Sequence, residues 1–302
     1  MTSPFHAGEL EVQARAGVAS AAGRVGKMIR RGMTADHAAF VAAQQLAVVS
    51  AVDGAGRVWA SALTGSPGFL RPLDAATVAV HAALAPDDPL AGVLKAGGSI
   101  GMVVMDLATR SRVRLNGRAE PKPEGGFVQH VAEAYGNCPK YIQLREFSPP
   151  AHEPPARAAI ALSGTELTPA QREWIAGADT FFIGSRAGER ADASHRGGNP
   201  GFVSVPTAAL IRWPDYPGNM LFNTLGNLAS DPRAGLLFLD FERDRSLQLT
   251  GTAAILWDTP ADGVAPAPGA ERAVELHVTG VVERLHATGR RWKLVERSPY
   301  NP

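Results

Sequence analysis

The sequence predicts a mainly β protein with flanking helices, built as two tandem antiparallel β-barrels or sandwiches that pack as a pseudo-dimer. Three observations carry that expectation. Short apolar runs separated by turn signals at close spacing recur along the 302 residues, in the manner of antiparallel all-β domains. The order of these runs repeats once. Residues also match in register across the repeat: Arg57, Ala60, Ser61, Gly65, Pro67, Gly68 and Phe69 align with Arg190, Ala193, Ser194, Gly198, Pro200, Gly201 and Phe202. One residue of slip later, Gly101, Asp106, Leu115, Gly117 and Ala119 align with Gly235, Asp240, Leu249, Gly251 and Ala253. A fused duplication should pack about a pseudo-twofold axis, as a homodimer does.

In the first copy, residues 9–31 are Ala-rich and helix-compatible, weakened by Gly17, Gly23 and Gly26. Thr34 is placed to cap a short helix that runs to about Ala43. LAVVSAV, a DGAG turn and RVWASAL read as β structure, and ATVAVHAAL resumes as a strand after the Ser66-Pro67-Gly68-Phe69 break. DPLAGVLKAG reads as a short helix, SIGMVVMDL and RVRLNGRAE as a hairpin, and FVQHVAEAY as an amphipathic helix ended by Gly136-Asn137. In the second copy Thr168 heads a helix (PAQREWIA), and TFFIGSR with ERADASHRG forms a hairpin. AALIRW is a strand and MLFNTLGNLASD a helix, before the hairpin AGLLFLDF and SLQLTGTAAIL. The expected division is an N-terminal barrel with a helical extension (1–147), a Pro-rich linker (148–159) and a C-terminal barrel (160–302).

Composition narrows the function. Hydrophobic residues at 45% and charged residues at 20% argue against wholesale disorder. A net charge of +1, with no basic stripe, offers no footprint for nucleic acid. The lone Cys138 excludes an intrachain disulfide framework, and His81, His130, His152, His277 and His286 show no ligand spacing, so no metal is expected. No apolar run approaches the roughly 18 residues that span a bilayer. The first residues lack a signal-peptide layout, so a cytoplasmic location with no membrane partner is expected. No GxGxxG follows a strand, which leaves a Rossmann-type dinucleotide site unsupported.

The stretch 191–241 concentrates polar groups among apolar ones. Ser194, His195 and Arg196 lie on one predicted strand, where His195 alternates in direction with its neighbours. Asn219, Asn223, Thr224 and Asn227 gather near the start of a helix, and Asn223 and Asn227, four apart, share one face. Bland readings stand beside these. Arg196 fits a solvated turn, Asn219 a helix cap, and His195 a core position. Lys140 fits a solvated cap and Tyr141 the core. Cys138 has no identifiable His/Asn or His/Asp partner, and a lone cysteine behaves as a small buried hydrophobe.

Several stretches resemble a known family. GNMLFNTLGNLASDPRAGLLFLDF resembles the phosphate-side segment of the pyridoxamine 5'-phosphate oxidase-like, FMN-binding split-barrel superfamily. ADASHRGGNPGFV, FHAGELEVQARAGV, GNCPKYIQ and RRWKLVERSP resemble a tandem-barrel bacterial subgroup of it. The resemblance implies two tandem FMN-binding split β-barrels. It implies an FMN-dependent oxidoreductase, moving hydride or electrons to or from a small organic substrate, with NADH or NADPH as donor and a homodimer as one assembly.

Carried onto this chain, the resemblance places Ser194, His195, Arg196, Asn219, Asn223, Thr224 and Asn227 around the cofactor, with Lys140 and Tyr141 contributed across the pseudo-dimer interface. Arg297 and Trp292 become substrate-side candidates, Arg297 with a surface ion pair as the alternative, and the catalytic acid and base stay unassigned. Opposite Asn223, Thr224 and Asn227 the first half carries Pro89, Leu90 and Val93, and opposite His195 and Arg196 it carries Ala62 and Leu63. One flavin site per chain is therefore expected, anchored by the second half. Relatives of this barrel also accept haem or deazaflavin, and a non-catalytic flavin-binding or interaction protein is a further alternative.

Overall fold

The computed structural model of the chain describes residues 3–148, 159–257 and 268–302. Apart from its two end residues, the linker expected over 148–159 lies outside the described residues. In chain order the first half holds helices α1 (Ala7–Arg15), α2 (Ala19–Val25) and α3 (Ala35–Ala43). Strands β1 (Leu46–Val52), β2 (Val58–Thr64), β3 (Leu70–Asp74) and β4 (Thr77–Val80) follow, then α4 (Ala91–Ala96), β5 (Gly98–Asp106), β6 (Ser111–Pro121), β7 (Phe127–Gly136) and β8 (Leu144–Ser148). The second half has β9 (Ala159–Gly164), α5 (Pro169–Gly177), β10 (Thr180–Ala187), β11 (Arg190–Gly197), β12 (Ser204–Thr207) and β13 (Leu210–Asp215). It continues with α6 (Asn223–Ser230), β14 (Arg233–Asp240), β15 (Arg245–Leu256), β16 (Arg272–Leu285) and β17 (Arg291–Glu296).

The two large sheets share one seven-strand order, and in the second β9 adds beside β16. One runs β2-β1-β5-β6-β7-β4-β3 and the other β11-β10-β14-β15-β16-β13-β12, so each strand is replaced by its counterpart. Even the bulges recur, at Asn116/Gly117 in one copy and Thr250/Gly251 in the other. The chain is a tandem pair of split β-barrels packed as a pseudo-dimer. Each copy has its own core, one around Trp59, Met102 and Leu115 and the other around Phe181, Trp213 and Leu249. A third cluster, including Val48, Val103, Phe182, Leu237 and Trp292, fills the seam between them.

The repeated glycines explain how the copies approach so closely. A Cβ on Gly101 of β5 would sit 2.4 Å from the Asp192 Cα of β11, and one on Gly235 of β14 would sit 2.7 Å from the Trp59 Cα of β2. Only glycine lets backbone meet backbone at that separation. A small sheet, β8 with β17, ties the end of the first copy to the end of the chain.

Local capping behaves as predicted at Thr34, whose Oγ1 accepts from the His37 N–H at 3.1 Å, and at Thr168, which forms a capping box with Gln171. Two expectations are corrected. The single Ala-rich helix over 9–31 is broken into α1, α2 and a 3₁₀ turn, because Gly17 takes a left-handed conformation (φ 70°) just after α1. FVQHVAEAY is strand β7, not a helix. Phe127, Val131 and Ala134 have helical spacing, but burial alternates at Phe127, Gln129 and Val131. An unpaired Ala132 at the bulge then shifts the pattern by one. The helix-cap reading of Lys140 falls with that helix.

Candidate functional site

A cavity of about 230 Å³ opens where the two copies meet. The first copy supplies Arg112 and Arg114 from β6 and the loop carrying Asn137, Cys138, Lys140 and Tyr141. The second supplies Ser194, His195 and Arg196 from β11, the end of β13, the loop 216–222 and the start of α6. Eight residues singled out from the sequence line this one space: Ser194, His195, Arg196, Asn219, Asn223, Thr224, Lys140 and Tyr141.

Three others do not. Asn227 faces away, with its amide between the His6 ring (2.9 Å) and Ser185 Oγ (3.0 Å). The polar stripe on α6 thus serves contact with α1, which the sequence did not reveal. Trp292 is buried in the seam, edge-on to Phe241 at 6.0 Å. Arg297 is exposed and offers only its carbonyl, to Arg110 at 3.2 Å. Both were expected on the substrate side, but the β8–β17 sheet holds them elsewhere.

Arg112 and Arg114 went unrecognised in the sequence, and with Arg196 they dominate the electrostatics. Arg114 pairs with Asp192 (3.1 Å), donates to Ser194 Oγ and lies over the Tyr135 ring. Arg196 pairs with Asp215 at 3.0 Å, a carboxylate it shares with Arg272 at 3.4 Å. Arg112 has no carboxylate partner among the described residues. It donates instead to Cys138 O and His195 Nδ1, each at 2.9 Å. It is half-buried and lines the cavity. Burial, reinforced by Arg114 and Arg196, pulls its guanidinium down to about 9.

Burial and the same arginines hold the His195 imidazole well below its ordinary range, so it is neutral. With Nδ1 accepting from Arg112, its proton sits on Nε2, which has no partner. Arg112 Nε, Arg114 Nε, Arg196 Nε and Thr224 Oγ1 are likewise buried and unpartnered. Helix α6 starts without a side-chain cap, leaving its first-turn N–H groups open. A surplus of donors around the Arg112 charge suits a ligand with several anionic oxygens.

The mouth is built differently. The Tyr141 hydroxyl donates to Pro217 O at 2.9 Å, and its ring lies 5.4 Å from that of Tyr216. Lys140 Nζ sits 5.9 Å from the Tyr300 ring. Asn219 Oδ1 accepts from the Leu221 N–H (3.1 Å), a local turn contact. Tyr141, Met220 and Phe222 all have positive φ (66°, 60° and 58°). Such strain, on the order of 1–3 kcal/mol per residue, gathers at ligand sites.

At the pseudo-symmetric position the equipment is different. Gln248 replaces Arg114, and its amide donates to Ser61 Oγ (2.8 Å) and Ala60 O (3.0 Å). Ser61 in turn donates to Asp88 Oδ1 at 2.7 Å. A buried carboxylate in this place disfavours an anion. Among the described residues, no three metal-type side chains converge and no helix is long and apolar enough to cross a membrane.

Glu9, on α1, lies just behind the cavity wall. Burial, with help from Glu133 and Asp192, raises its carboxyl from 4.5 to about 7, against opposing hydrogen bonds from the His6 N–H and Asn223. A raised carboxyl contributes stability below its unfolded value and loses it as pH rises through the folded value. Between pH 4.5 and 7 the wild type should therefore lose up to about 3 kcal/mol relative to Glu9→Gln. Parallel denaturation curves for the two proteins at pH 5 and pH 8 measure this; an unchanged gap refutes it.

Fold and site together define a tandem split-barrel protein with an arginine-lined cavity where its two copies meet. A family model described as Pyridoxamine 5'-phosphate oxidase matches residues 33–166. No curated protein matches the chain. Among solved structures it is similar to HupZ of Group A Streptococcus, with 12% identity over 37% of this chain and 90% of that one (TM-score 0.30). It is also similar to the FAD binding protein of Mycobacterium smegmatis, with 13% identity over 40% and 98% (TM-score 0.28). A third is a protein related to general stress protein 26, of the pyridoxinephosphate oxidase family, from Clostridium acetobutylicum, with 13% identity over 42% and 92% (TM-score 0.29).

Proposed function

We propose that the cavity binds FMN and that the protein is a flavin-dependent oxidoreductase acting on a small organic substrate, with NADH or NADPH as electron donor. The observation that carries this is the set of buried, unpartnered donors around Arg112, which matches the oxygens of a phosphate monoester. Arg112, Arg196, Ser194, Thr224 and the open N–H groups of α6 would hold the phosphate. Tyr141 and Tyr216 would hold the ring. The cavity is smaller than the ~300–1,000 Å³ of most small-molecule clefts, so the ring takes up the open mouth.

Bound FMN supplies the hydride or electron transfer. The protein's part is to neutralise the phosphate, exclude water and keep His195 neutral with its proton on Nε2. Anchoring is shared, because the first copy contributes Arg112 and Arg114 although it lacks the polar positions of the second. The proposed division remains a barrel over 1–147, a linker over 148–159 and a barrel over 160–302.

Purified protein titrated with FMN should bind about one equivalent, quench its fluorescence and show the paired absorption bands of an oxidised flavin. Protein that stays colourless at millimolar FMN refutes the reading, and a Soret band after haem addition replaces it with haem binding. Consumption of NADH or NADPH by the loaded protein distinguishes an enzyme from a flavin carrier.

A further inference from the structure

Helix α1 lies across α6 with unusually close backbone contact. A Cβ on Gly8 would fall 2.2 Å from Gly226 O, and one on Gly226 would fall 2.5 Å from the Glu9 Cα. Bare backbone at the crossing lets α1 grip the cavity-forming segment at three points. Gln13 Nε2 donates to Leu221 O at 2.9 Å, Asn223 Nδ2 donates to Glu9 Oε1 at 2.5 Å, and the His6 ring meets Asn227 Oδ1 at 2.9 Å.

The Glu9 carboxyl does two jobs at once. Its Oε2 accepts from the His6 N–H at 2.9 Å, closing the capping box of α1, while Oε1 takes Asn223, the first residue of α6. Since the Gly8 N–H donates to His6 Nδ1, the ring proton lies on Nε2 and points at Asn227. Helix α6 has no side-chain cap, and the residue before it, Phe222, is left-handed. Its start therefore depends on an external partner.

We infer that Glu9 is a positioning residue for the cavity: by holding Asn223 it fixes the first turn of α6, whose N–H groups face the anion. The inference rests on the FMN reading for its ligand, but not for its structural content. An N-terminal helix that touches none of the cavity's charged groups thus controls how well the cavity is preorganised.

The test compares wild type, Glu9→Ala and Glu9→Gln by FMN fluorescence titration and by hydrogen exchange of the ligand-free protein. Glutamine keeps an oxygen for Asn223 and should bind within about twofold of wild type, whereas alanine should bind about tenfold more weakly. In Glu9→Ala the amides of residues 226–229, which bond back onto the first turn of α6, should exchange about tenfold faster, with the β-sheet amides unchanged. Gln13→Ala, which loosens the same segment from another point, should show the same exchange pattern if Glu9→Ala fails to fold. Wild-type exchange at 226–229 in both alanine variants overturns the inference. So does exchange that rises evenly over the whole chain without rescue by glutamine. A wild type that never binds FMN refutes the functional reading instead, and the exchange pattern still judges Glu9.

Discussion

Arg112→Met is expected to weaken FMN binding about a hundredfold while shifting the melting temperature of the ligand-free protein by no more than about 3 °C. Arg112 is a half-buried cation with no carboxylate partner among the described residues, repelled by the charges of Arg114 and Arg196. Removing it relieves repulsion and desolvation in the empty cavity. It also leaves Cys138 O and His195 Nδ1 without their donor, a loss of about 1–3 kcal/mol, and the two effects nearly offset. With a phosphate bound there is no such offset, because truncating a desolvated charge pair costs about 2–5 kcal/mol. Methionine keeps the length and apolar stem of the side chain, so packing is little disturbed. Fluorescence titration and thermal melting on one preparation decide the matter. Unchanged affinity would remove the phosphate from this end of the cavity.

Gly101→Ala and Gly235→Ala should each cost about 3 kcal/mol, the upper end for an overpacked methyl group, because the obstruction is backbone on both sides. At Gly101 the new Cβ meets Asp192 Cα (2.4 Å), Asp192 C (2.5 Å) and Ala193 N (2.6 Å), and at Gly235 it meets Val58 O (2.6 Å) and Trp59 Cα (2.7 Å). No rotamer change relieves such contacts, so the two copies must separate along the seam. The two variants should differ in function. Gly101 presses on β11, which carries Ser194, His195 and Arg196, so its variant should lose FMN affinity as well as stability. Gly235 presses on β2, away from the cavity, and its folded fraction should bind normally. Melting curves with FMN titrations separate the two, and wild-type stability in both would disprove the close seam.

Much of this was legible in the residues themselves. Paired glycines and the shared PGF turns survive in both copies because close approach and tight turns admit few substitutes. The duplication could be read for that reason, before any strand was placed. Ser194, Arg196, Thr224 and Asn219 stood out as polar groups among apolar neighbours, and the cavity does collect them. Strand β7 was misread because Phe127, Val131 and Ala134 satisfy a helical period as well as a bulged strand does. Asn223 and Asn227 share a face, but the α1 segment, more than 200 residues away in sequence, takes both side chains, and only Asn223 also borders the cavity.

Local pattern by itself determined a duplicated β fold, several of its hairpins and a polar pole in the later copy, because side-chain alternation and turn chemistry act between near neighbours. Packing alone decided that Arg112 and Arg114 belong to the site. In RVRLNGRAE they alternate like the solvent face of any amphipathic strand. They become cavity residues only because β6 of one copy lies against β11 of the other. A contact between residues some 80 positions apart leaves no mark on the spacing of either strand.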